Sequence, residues 1–323
     1  MKKMILFSQA PADVQYVISL YDINKEVYEI TIVVVNVENT FKFLKSLKLK
    51  ASLHFIPLIG QSEGLKFLLY SFKLRMMYKK LFSSSENAQV YFFSNNYDYV
   101  TAFFIEKLQL RNSVNFCDIY NIDGEEVKNK IIFIKIMLIR VLFGIKIKFF
   151  RLLPDTAYQY MYNKTRMNEI ALEVDRKRLQ NYLYTIERNK NRKSLLFFES
   201  NGEIDTSFAN YKHDLCKILD NISDKYSIYV KPHPRLGYSK LLENYNVEMI
   251  PNYIPSELVN TQSFDMVLGI DSTSIATIEH ANAYSLINLF EFVDEKRKVY
   301  LIDYLDKLSE GKLIYINSQV SLI

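Results

Sequence analysis

The sequence has no tryptophan, two cysteines, four histidines and eight glycines among its 323 residues. Cys117 and Cys216 lie far apart and form no Cys-x-x-Cys pair, which argues against a disulfide framework or a zinc site and favours a reducing compartment. Because histidine is so rare, a histidine in a special local context is seldom there by accident. We therefore expect no metal and look for chemistry around individual histidines.

Strong charge of either sign is also absent, since the formal net charge is only +5. A nucleic-acid-binding protein usually shows a denser basic stripe, so we expect no nucleic-acid partner. Two lysines precede a very short apolar run at the start of the sequence. A signal peptide needs an apolar segment of ~7–15 residues and a small-residue cleavage site. We therefore expect a cytoplasmic protein.

One long apolar stretch, residues 131–153, could be mistaken for a membrane span. It contains five cations, namely Lys135, Arg140, Lys146, Lys148 and Arg151. Each central charge costs ~2.5–3.5 kcal/mol on insertion scales, which argues against a span. We predict an amphipathic helix that packs on another domain or lies at a membrane surface.

Strand-like and helix-like runs alternate through the first half of the sequence, and the alternation restarts after a polar connector. This order is typical of a parallel sheet with crossover helices. A chain of 323 residues is also long for one core. We predict an N-terminal α/β domain at residues 1–153, a linker at 154–193 and a C-terminal α/β domain at 194–323, with ligands bound beyond the carboxyl ends of the strands.

The first candidate for chemistry is the segment Lys231-Pro232-His233-Pro234-Arg235, which directly follows a strand-like run. The prolines hold the backbone of His233 extended and remove two N–H donors. The imidazole is thus presented stiffly, with a cation two positions away on each side. A protonated imidazole there suits a phosphate, whose departure it can assist. A rigid surface turn with a solvated histidine is the alternative.

A second motif lies at residues 269–274, where Ser272, Thr273 and Ser274 open a predicted helix. Hydroxyl side chains cap the N–H groups of a helix start, and the same end attracts phosphate. Ordinary capping explains these residues equally well. Between the two motifs, Glu257 opens a short helix. It is either a common first-turn residue or an acceptor of hydrogen bonds from ribose hydroxyls.

An acidic motif, Ile122-Asp123-Gly124-Glu125, follows a strand-like run in the first half. A carboxylate at Asp123 would face the cleft between the domains and could deprotonate an acceptor hydroxyl. Asp-Gly is also a common turn dipeptide.

In their order and spacing, the His-Pro, Pro-x-Glu and Ser/Thr motifs resemble those of bacterial sialyltransferases. The similarity is greatest to polysialyltransferases and lipooligosaccharide sialyltransferases, and it covers mainly residues 195–290. It implies a GT-B-like α/β fold, in which two Rossmann-like domains with parallel sheets face a central cleft.

The resemblance also implies roles for individual residues. His233 would contact the donor phosphate and act as the acid, Glu257 would bind the ribose, and Asp123 would be the base. The phosphate would be held by Ser272, Thr273 and Ser274. Independently of the resemblance, the positive charges of Lys231 and Arg235 would stabilise the phosphate as it leaves. The family usually has two acidic residues before the glycine of its acidic motif, and Ile122 stands at the first position here. Glu203 and Asp205, after the first strand of the second half, are therefore alternative bases.

We accordingly expect an inverting glycosyltransferase that moves sialic acid from CMP-sialic acid to a capsular polysaccharide or a lipooligosaccharide, without a cofactor. Its partners would be the nucleotide-sugar donor and the glycan acceptor. Lipid-linked acceptors would bring it to the inner face of the cell membrane. The oligomeric state stays open, with a dimer among the options.

Three alternatives remain open. A CDP-glycerol-type glycerophosphotransferase of cell-wall polymers is similar in its Lys-x-His-Pro motif and later serine cluster. A nucleotide-sugar epimerase would need further acid–base carboxylates around the sugar. A non-catalytic GT-B module of a capsule assembly complex would bind CMP without turnover, or not at all.

Overall fold

The computed structural model describes residues 2–60, 63–93, 98–117, 126–127, 130–145, 150–152, 158–160, 168–172, 174–188, 191–234, 236–278 and 280–318. The chain divides into two compact units, Met1–Leu179 and Gln180–Ile323. The division falls inside the linker predicted at residues 154–193.

The first unit is an α/β unit around a six-stranded sheet. Its strands are β1 (Lys2–Ser8), β2 (Tyr28–Val35), β3 (Ser52–Ile56), β4 (Gln89–Phe92), β5 (Ser113–Phe116), β6 (Glu126–Val127), β7 (Phe150–Leu152), β8 (Tyr158–Tyr160) and β9 (Asn168–Glu169). Its helices are α1 (Val14–Asn24), α2 (Glu38–Ser46), α3 (Leu65–Phe82), α4 (Tyr99–Leu108), α5 (Lys130–Phe143) and α6 (Arg176–Leu179).

The main sheet of this unit has the order β3-β2-β1-β4-β5-β9, and its neighbouring strands are parallel. A small antiparallel sheet has the order β6-β8-β7. β1 and β2 contain continuous, mainly apolar runs. Every residue of β1 from Met4 onward is buried, and so is almost every residue of β2 from Ile30 onward. Such runs are typical of parallel strands that helices cover on both faces.

Phenylalanine is the most frequent residue in the core cluster of the first unit, in a chain without tryptophan. Phe104 is fully buried and packs edge-to-face on Phe82 and Phe103, at ring-centroid distances of 5.5 and 5.4 Å. Phe7 from the central strand β1 completes the group, 6.1 Å from Phe104. Aromatic pairs in these geometries stabilise a core by about 0.5–1.5 kcal/mol each beyond the area that they bury.

The stretch predicted as one amphipathic helix at residues 131–153 is helical only in its first part, as α5, Lys130–Phe143. The prediction is wrong for Phe150–Leu152, which form the strand β7. The helix ends where Gly144 adopts a φ of +67°, a left-handed conformation that glycine takes without a steric penalty. Within the described ranges, no helix combines the length and the apolarity that crossing a bilayer requires.

The second unit repeats the α/β plan. Its strands are β10 (Lys193–Phe198), β11 (Tyr226–Lys231), β12 (Val247–Met249), β13 (Met266–Gly269), β14 (Ala283–Ser285) and β15 (Ile314–Tyr315). Its helices are α7 (Tyr211–Ile222), α8 (Thr273–Thr277) and α9 (Glu295–Ser309), with short 3-10 turns that include Lys240–Asn244 and Ser256–Leu258.

The second sheet has the order β12-β11-β10-β13-β14-β15, and its neighbouring strands are parallel. In order of appearance the strands stand as 3-2-1-4-5-6, which is the Rossmann arrangement. The chain therefore consists of two Rossmann-like α/β units, as the sequence predicts. In such a sheet the order reverses between the first and fourth strands, here β10 and β13, and ligands bind beyond the carboxyl ends at that point.

Gly202, in the loop after β10, allows the Tyr211 ring to pack directly against the backbone. A Cβ atom on this residue would lie 2.1 Å from Cδ2 of the Tyr211 ring, far inside van der Waals contact. The ring is buried and also stacks on Phe290 at 5.6 Å, so it cannot move aside. Only glycine fits under this ring.

We expect Gly202→Ala to lower the free energy of unfolding by about 1–3 kcal/mol, because the added methyl must displace a packed ring. Urea unfolding followed by circular dichroism measures the change. Gly269→Ala is the matched comparison, since its Cβ would meet Cδ1 and Cβ of Ile275 at 3.1 and 3.3 Å, which are much milder contacts. A loss at Gly202 no larger than that at Gly269 would contradict the explanation.

Candidate functional site

The loops after β10, β11 and β13 meet at one edge of the second sheet. The backbone N–H of Glu199, just beyond β10, donates to the carbonyl of Lys231 at 3.1 Å. The Ser200 hydroxyl donates to Oδ1 of Asp271 at 2.5 Å, which joins the ends of β10 and β13 across the point where the strand order reverses. The segments with candidate motifs therefore gather where a Rossmann sheet binds ligands.

His233 lies in a tight turn after β11. Its N–H and carbonyl exchange hydrogen bonds with Gly237 at 3.0 and 2.9 Å, and Gly237 has a φ of +72°. The backbone N–H of Leu236 donates to Nδ1 of the imidazole at 3.0 Å. A nitrogen that accepts a hydrogen bond carries no proton, so this contact favours the neutral tautomer with its proton on Nε2. The sequence favours a protonated imidazole at this position, whereas the turn favours a neutral imidazole that donates from Nε2–H.

Lys231 is a buried cation at the end of β11, with 2% of its surface exposed. Its Nζ donates to the carbonyl of Pro232 at 2.9 Å. Burial lowers the pKa of Lys231 to about 8, and the negative charge of Glu257 opposes that shift. The lysine is therefore held close to its neighbouring loop and stays mostly charged at neutral pH.

Glu257 lies opposite this cation, in the 3-10 turn Ser256–Leu258. Burial raises the pKa of Glu257, while a backbone hydrogen bond and the charge of Lys231 oppose the rise. Its Oε2 atom is buried and has no hydrogen-bond partner in the described part of the chain. A buried carboxylate oxygen without a donor is costly, and a ligand hydroxyl would satisfy it.

The hydroxyl motif forms the start of α8. Ser272 is the N-cap residue, and its Oγ accepts from the N–H of Ser274 at 3.3 Å. Thr273 is exposed and Ser274 is buried. α8 packs against the 3-10 turn that carries Glu257, so the Pro-x-Glu and Ser/Thr motifs are neighbours. Ser272 thus caps the helix in this structure, as the capping alternative predicts.

Glu199 is a candidate that the sequence argument missed. Its carboxylate is buried and accepts hydrogen bonds from the Tyr211 hydroxyl at 2.7 Å and from the N–H of Ser239 at 3.3 Å. Burial raises the pKa of Glu199 to about 7, although those hydrogen bonds favour the ionised form. An acidic residue directly after an apolar strand was the available signal, but its burial could not be read from the sequence.

The loop after β10 holds the segment that follows His233. Besides Glu199, the side-chain amide of Asn201 donates to the carbonyl of Leu236 at 2.6 Å, and Oε2 of Glu203 accepts from the N–H of Lys240 at 3.0 Å. Hydrogen bonds from the loop after β10 to three residues in the range 236–240 therefore fix the turn. The conformation of His233 depends on them.

The two alternative bases are both used in loop structure. Glu203 also pairs with Lys212 at 3.3 Å. Burial alone would raise the pKa of Glu203, but its hydrogen bonds from the Lys240 N–H and from Lys212 hold it below the ordinary value. Asp205 accepts from the N–H of Ser207 at 2.9 Å. Both carboxylates therefore stabilise turns.

Two predicted site residues, Asp123 and Arg235, lie outside the described residues. Among the residues that are described, no group of three or more His, Cys, Asp or Glu side chains is placed to hold a metal ion.

No protein-family model and no curated protein matches this chain. Solved structures with a similar fold include UDP-GlcNAc 2-epimerase from Neisseria meningitidis with UDP-GlcNAc, at 11% identity and a TM-score of 0.45 over 98% of this chain and 95% of that one. A sialyltransferase from Photobacterium damsela is 14% identical, with a TM-score of 0.43 over 98% and 81% of the two chains. The heptosyltransferase WaaC of E. coli with ADP is 12% identical, with a TM-score of 0.43 over 86% and 83%. Similarity this low assigns no activity.

We expect the Glu199→Gln variant to gain stability relative to the parent protein as pH rises. With the pKa raised from 4.5 to about 7, folded Glu199 binds more protons than the unfolded chain between these values. Its contribution is therefore complete below pH 4.5 and is lost as pH rises through about 7. Glutamine does not titrate, so the difference in unfolding free energy should shift by on the order of 2–3 kcal/mol between about pH 5 and pH 8.

Urea unfolding at several pH values measures this shift. Glu203→Gln is the matched control, because the pKa of Glu203 is lowered. This carboxyl is therefore ionised in both the folded and the unfolded chain between about pH 5 and pH 8, and its removal should leave the difference nearly constant there. A pH-independent difference between Glu199→Gln and the parent protein would show that this carboxyl does not titrate as described.

Proposed function

We propose that this chain is an inverting glycosyltransferase that transfers sialic acid from CMP-sialic acid to a cell-surface glycan. The observation that carries the proposal is the electrostatic interaction of buried Lys231 with Glu257, whose Oε2 has no partner among the described residues. A site that binds a nucleotide needs a cation to attract the phosphate and a carboxylate to accept hydrogen bonds from the ribose hydroxyls. The resemblance of the surrounding motifs to sialyltransferases supports the choice of CMP-sialic acid.

In this proposal, the cytidine monophosphate part of the donor binds at the edge beyond β11 and β13. Glu257 accepts from the ribose hydroxyls. Lys231 attracts the phosphate, and an anion beside it favours its charged form. His233 donates from Nε2 to a phosphate oxygen. Lys231 and His233 stabilise the negative charge that grows on the phosphate as it leaves, which is the kind of interaction that accelerates the chemical step. Glu257 holds the ribose and has no part in stabilising that charge.

The reaction requires a base on the acceptor side. The base removes the proton of the acceptor hydroxyl, whose oxygen forms the new bond to the anomeric carbon of sialic acid. The bond from that carbon to the phosphate oxygen breaks, and CMP departs with the electron pair. Asp123 has this role in the proposal. Glu203 and Asp205 are poorer choices, because hydrogen bonds from the Lys240 N–H and the Ser207 N–H already occupy them.

A nucleotide-sugar epimerase is the second candidate, favoured by two further buried carboxylates at the same edge. Burial raises the pKa of Glu199 to about 7 and also raises that of Asp271. Carboxylates with raised pKa values can exchange protons with a sugar carbon near neutral pH. An epimerase of this kind would use a UDP-sugar as its substrate instead of a CMP-sugar.

Incubation with single donors separates these readings. Purified protein is given CMP-sialic acid, CDP-glycerol or UDP-GlcNAc, with galactoside and sialoside acceptors, and the products are followed by NMR. We expect CMP release and a new sialoside from CMP-sialic acid only. Release from CDP-glycerol, or a 2-epimer from UDP-GlcNAc, would replace the proposal with the corresponding alternative.

We expect His233→Ala to lower the transfer rate by about 10²–10⁴-fold, the range usual for a group that assists proton transfer or leaving-group departure. His213→Ala is the matched control, because His213 is exposed on α7 in the same unit. Full activity in His233→Ala would exclude the proposed role of the imidazole.

We expect Glu257→Gln to weaken CMP binding by roughly 10- to 100-fold, because a hydrogen bond to a charged acceptor contributes about 1.5–3 kcal/mol. Titration calorimetry with CMP measures the change. If Glu257→Gln lowers the affinity for cytidine, which has no phosphate, as much as the affinity for CMP, the carboxylate binds the ribose. An unchanged CMP affinity would remove Glu257 from the site. Glu248→Gln, at an exposed position on β12, is the control.

A further inference from the structure

α3 of the first unit carries apolar residues on the face that points away from its core. Leu65, Leu69, Phe72 and Met76 are 69%, 56%, 62% and 72% exposed. Their spacing of four, three and four residues places them in one line along a helix. We call these four residues the α3 strip. The core-facing side of the helix is a separate set that includes buried Phe67, Tyr70 and Leu74.

Cations border the α3 strip on both sides. At 100° per residue, Lys73 and Lys80 fall on one flank, and Arg75 and Lys79 on the other. The Arg75 guanidinium lies 5.6 Å from the centroid of the Phe72 ring. α3 contains no acidic residue. An outward apolar line with positive charge on both flanks is the pattern of a helix that lies in a membrane interface.

α5 has the same character. It contains no acidic residue, and its exposed apolar residues Ile134, Leu138 and Val141 follow a spacing of four and three. It packs on α3 through the rings of Phe67 and Phe143, whose centroids are 5.4 Å apart, and Arg75 donates to the Leu142 carbonyl at 3.5 Å. Two adjoining helices thus share an excess of positive charge and exposed apolar side chains.

The exposed apolar residues of α9 lack this setting. Val299 and Tyr300 of α9 are 57% and 66% exposed, but α9 also contains Glu295, Asp303 and Asp306. A helix with both acidic and basic residues on its exposed surface favours contact with water over contact with an anionic surface. α3 differs because charge of one sign surrounds its apolar line.

We infer that the α3 strip docks onto the surface of an anionic phospholipid membrane, with Lys73, Arg75, Lys79 and Lys80 on lipid headgroups and the strip at the boundary of the acyl chains. The cations identify this occupant. A second copy of α3 would present the same positive flanks and be repelled, whereas an anionic bilayer supplies opposite charge and an apolar interior together. The inference does not depend on which donor the second unit binds.

Vesicle flotation with the full chain tests this. We expect binding to vesicles that contain phosphatidylglycerol, little binding to phosphatidylcholine alone, and weaker binding as salt rises. The charge variant Lys73→Gln/Lys79→Gln/Lys80→Gln should lose roughly fivefold in partitioning per lysine. The strip variant Leu69→Ser/Phe72→Ser/Met76→Ser should lose at least about tenfold.

Matched controls carry the same chemistry on the other unit. Val299→Ser/Tyr300→Ser removes exposed apolar groups, and Lys217→Gln/Lys307→Gln removes exposed cations; both should bind vesicles like the parent protein. Circular dichroism checks that each variant is folded. Equal binding of parent and strip variant would overturn the inference. So would a strip variant that changes only the mass of the particle in solution, because a second copy would then be the occupant.

Discussion

The arrangement of the second unit depends on one buried carboxylate. Glu199 stands at the end of the central strand and accepts hydrogen bonds from Tyr211 on α7 and from the Ser239 backbone beyond the histidine turn. Burying a carboxyl group is unfavourable unless donors surround it, so these contacts also fix the positions of the groups that supply them. Gly202 lets the tyrosine ring reach the carboxylate. Asn201 and Glu203 extend the same attachment along the next loop.

This attachment has a direct effect on the candidate chemistry. Because hydrogen bonds from the loop after β10 hold the turn after β11, the N–H of Leu236 points at Nδ1 of His233. The backbone thereby selects a tautomer and leaves the proton on Nε2. Lys231 and Glu257 lie on the strand and turn beside it. The functional interpretation therefore rests on side chains that the loops orient, and less on the hydroxyl motif, whose Ser272 caps its own helix.

The sequence predicts the two parallel α/β units because apolar β-branched runs alternate with helical periodicity, and that pattern is local. The same applies to the His233 loop, which two prolines mark. What could not be predicted is set by contacts between distant segments, such as the burial of Glu199 and the use of Glu203 in a turn. α9 was also missed, since its charged first turn and scattered apolar residues give a weak pattern. Asp123 and Arg235 remain predictions.

The burial of Lys231 has a consequence for solution behaviour. With a pKa of about 8, this lysine is already partly neutral in mildly alkaline solution. An anion placed beside it would restore its charge, and the proton would come from the solvent. Ligand binding at this edge is thus linked to proton uptake. The heat of binding would then vary with the ionisation enthalpy of the buffer, and affinity for a phosphate would decline as pH rises past 8.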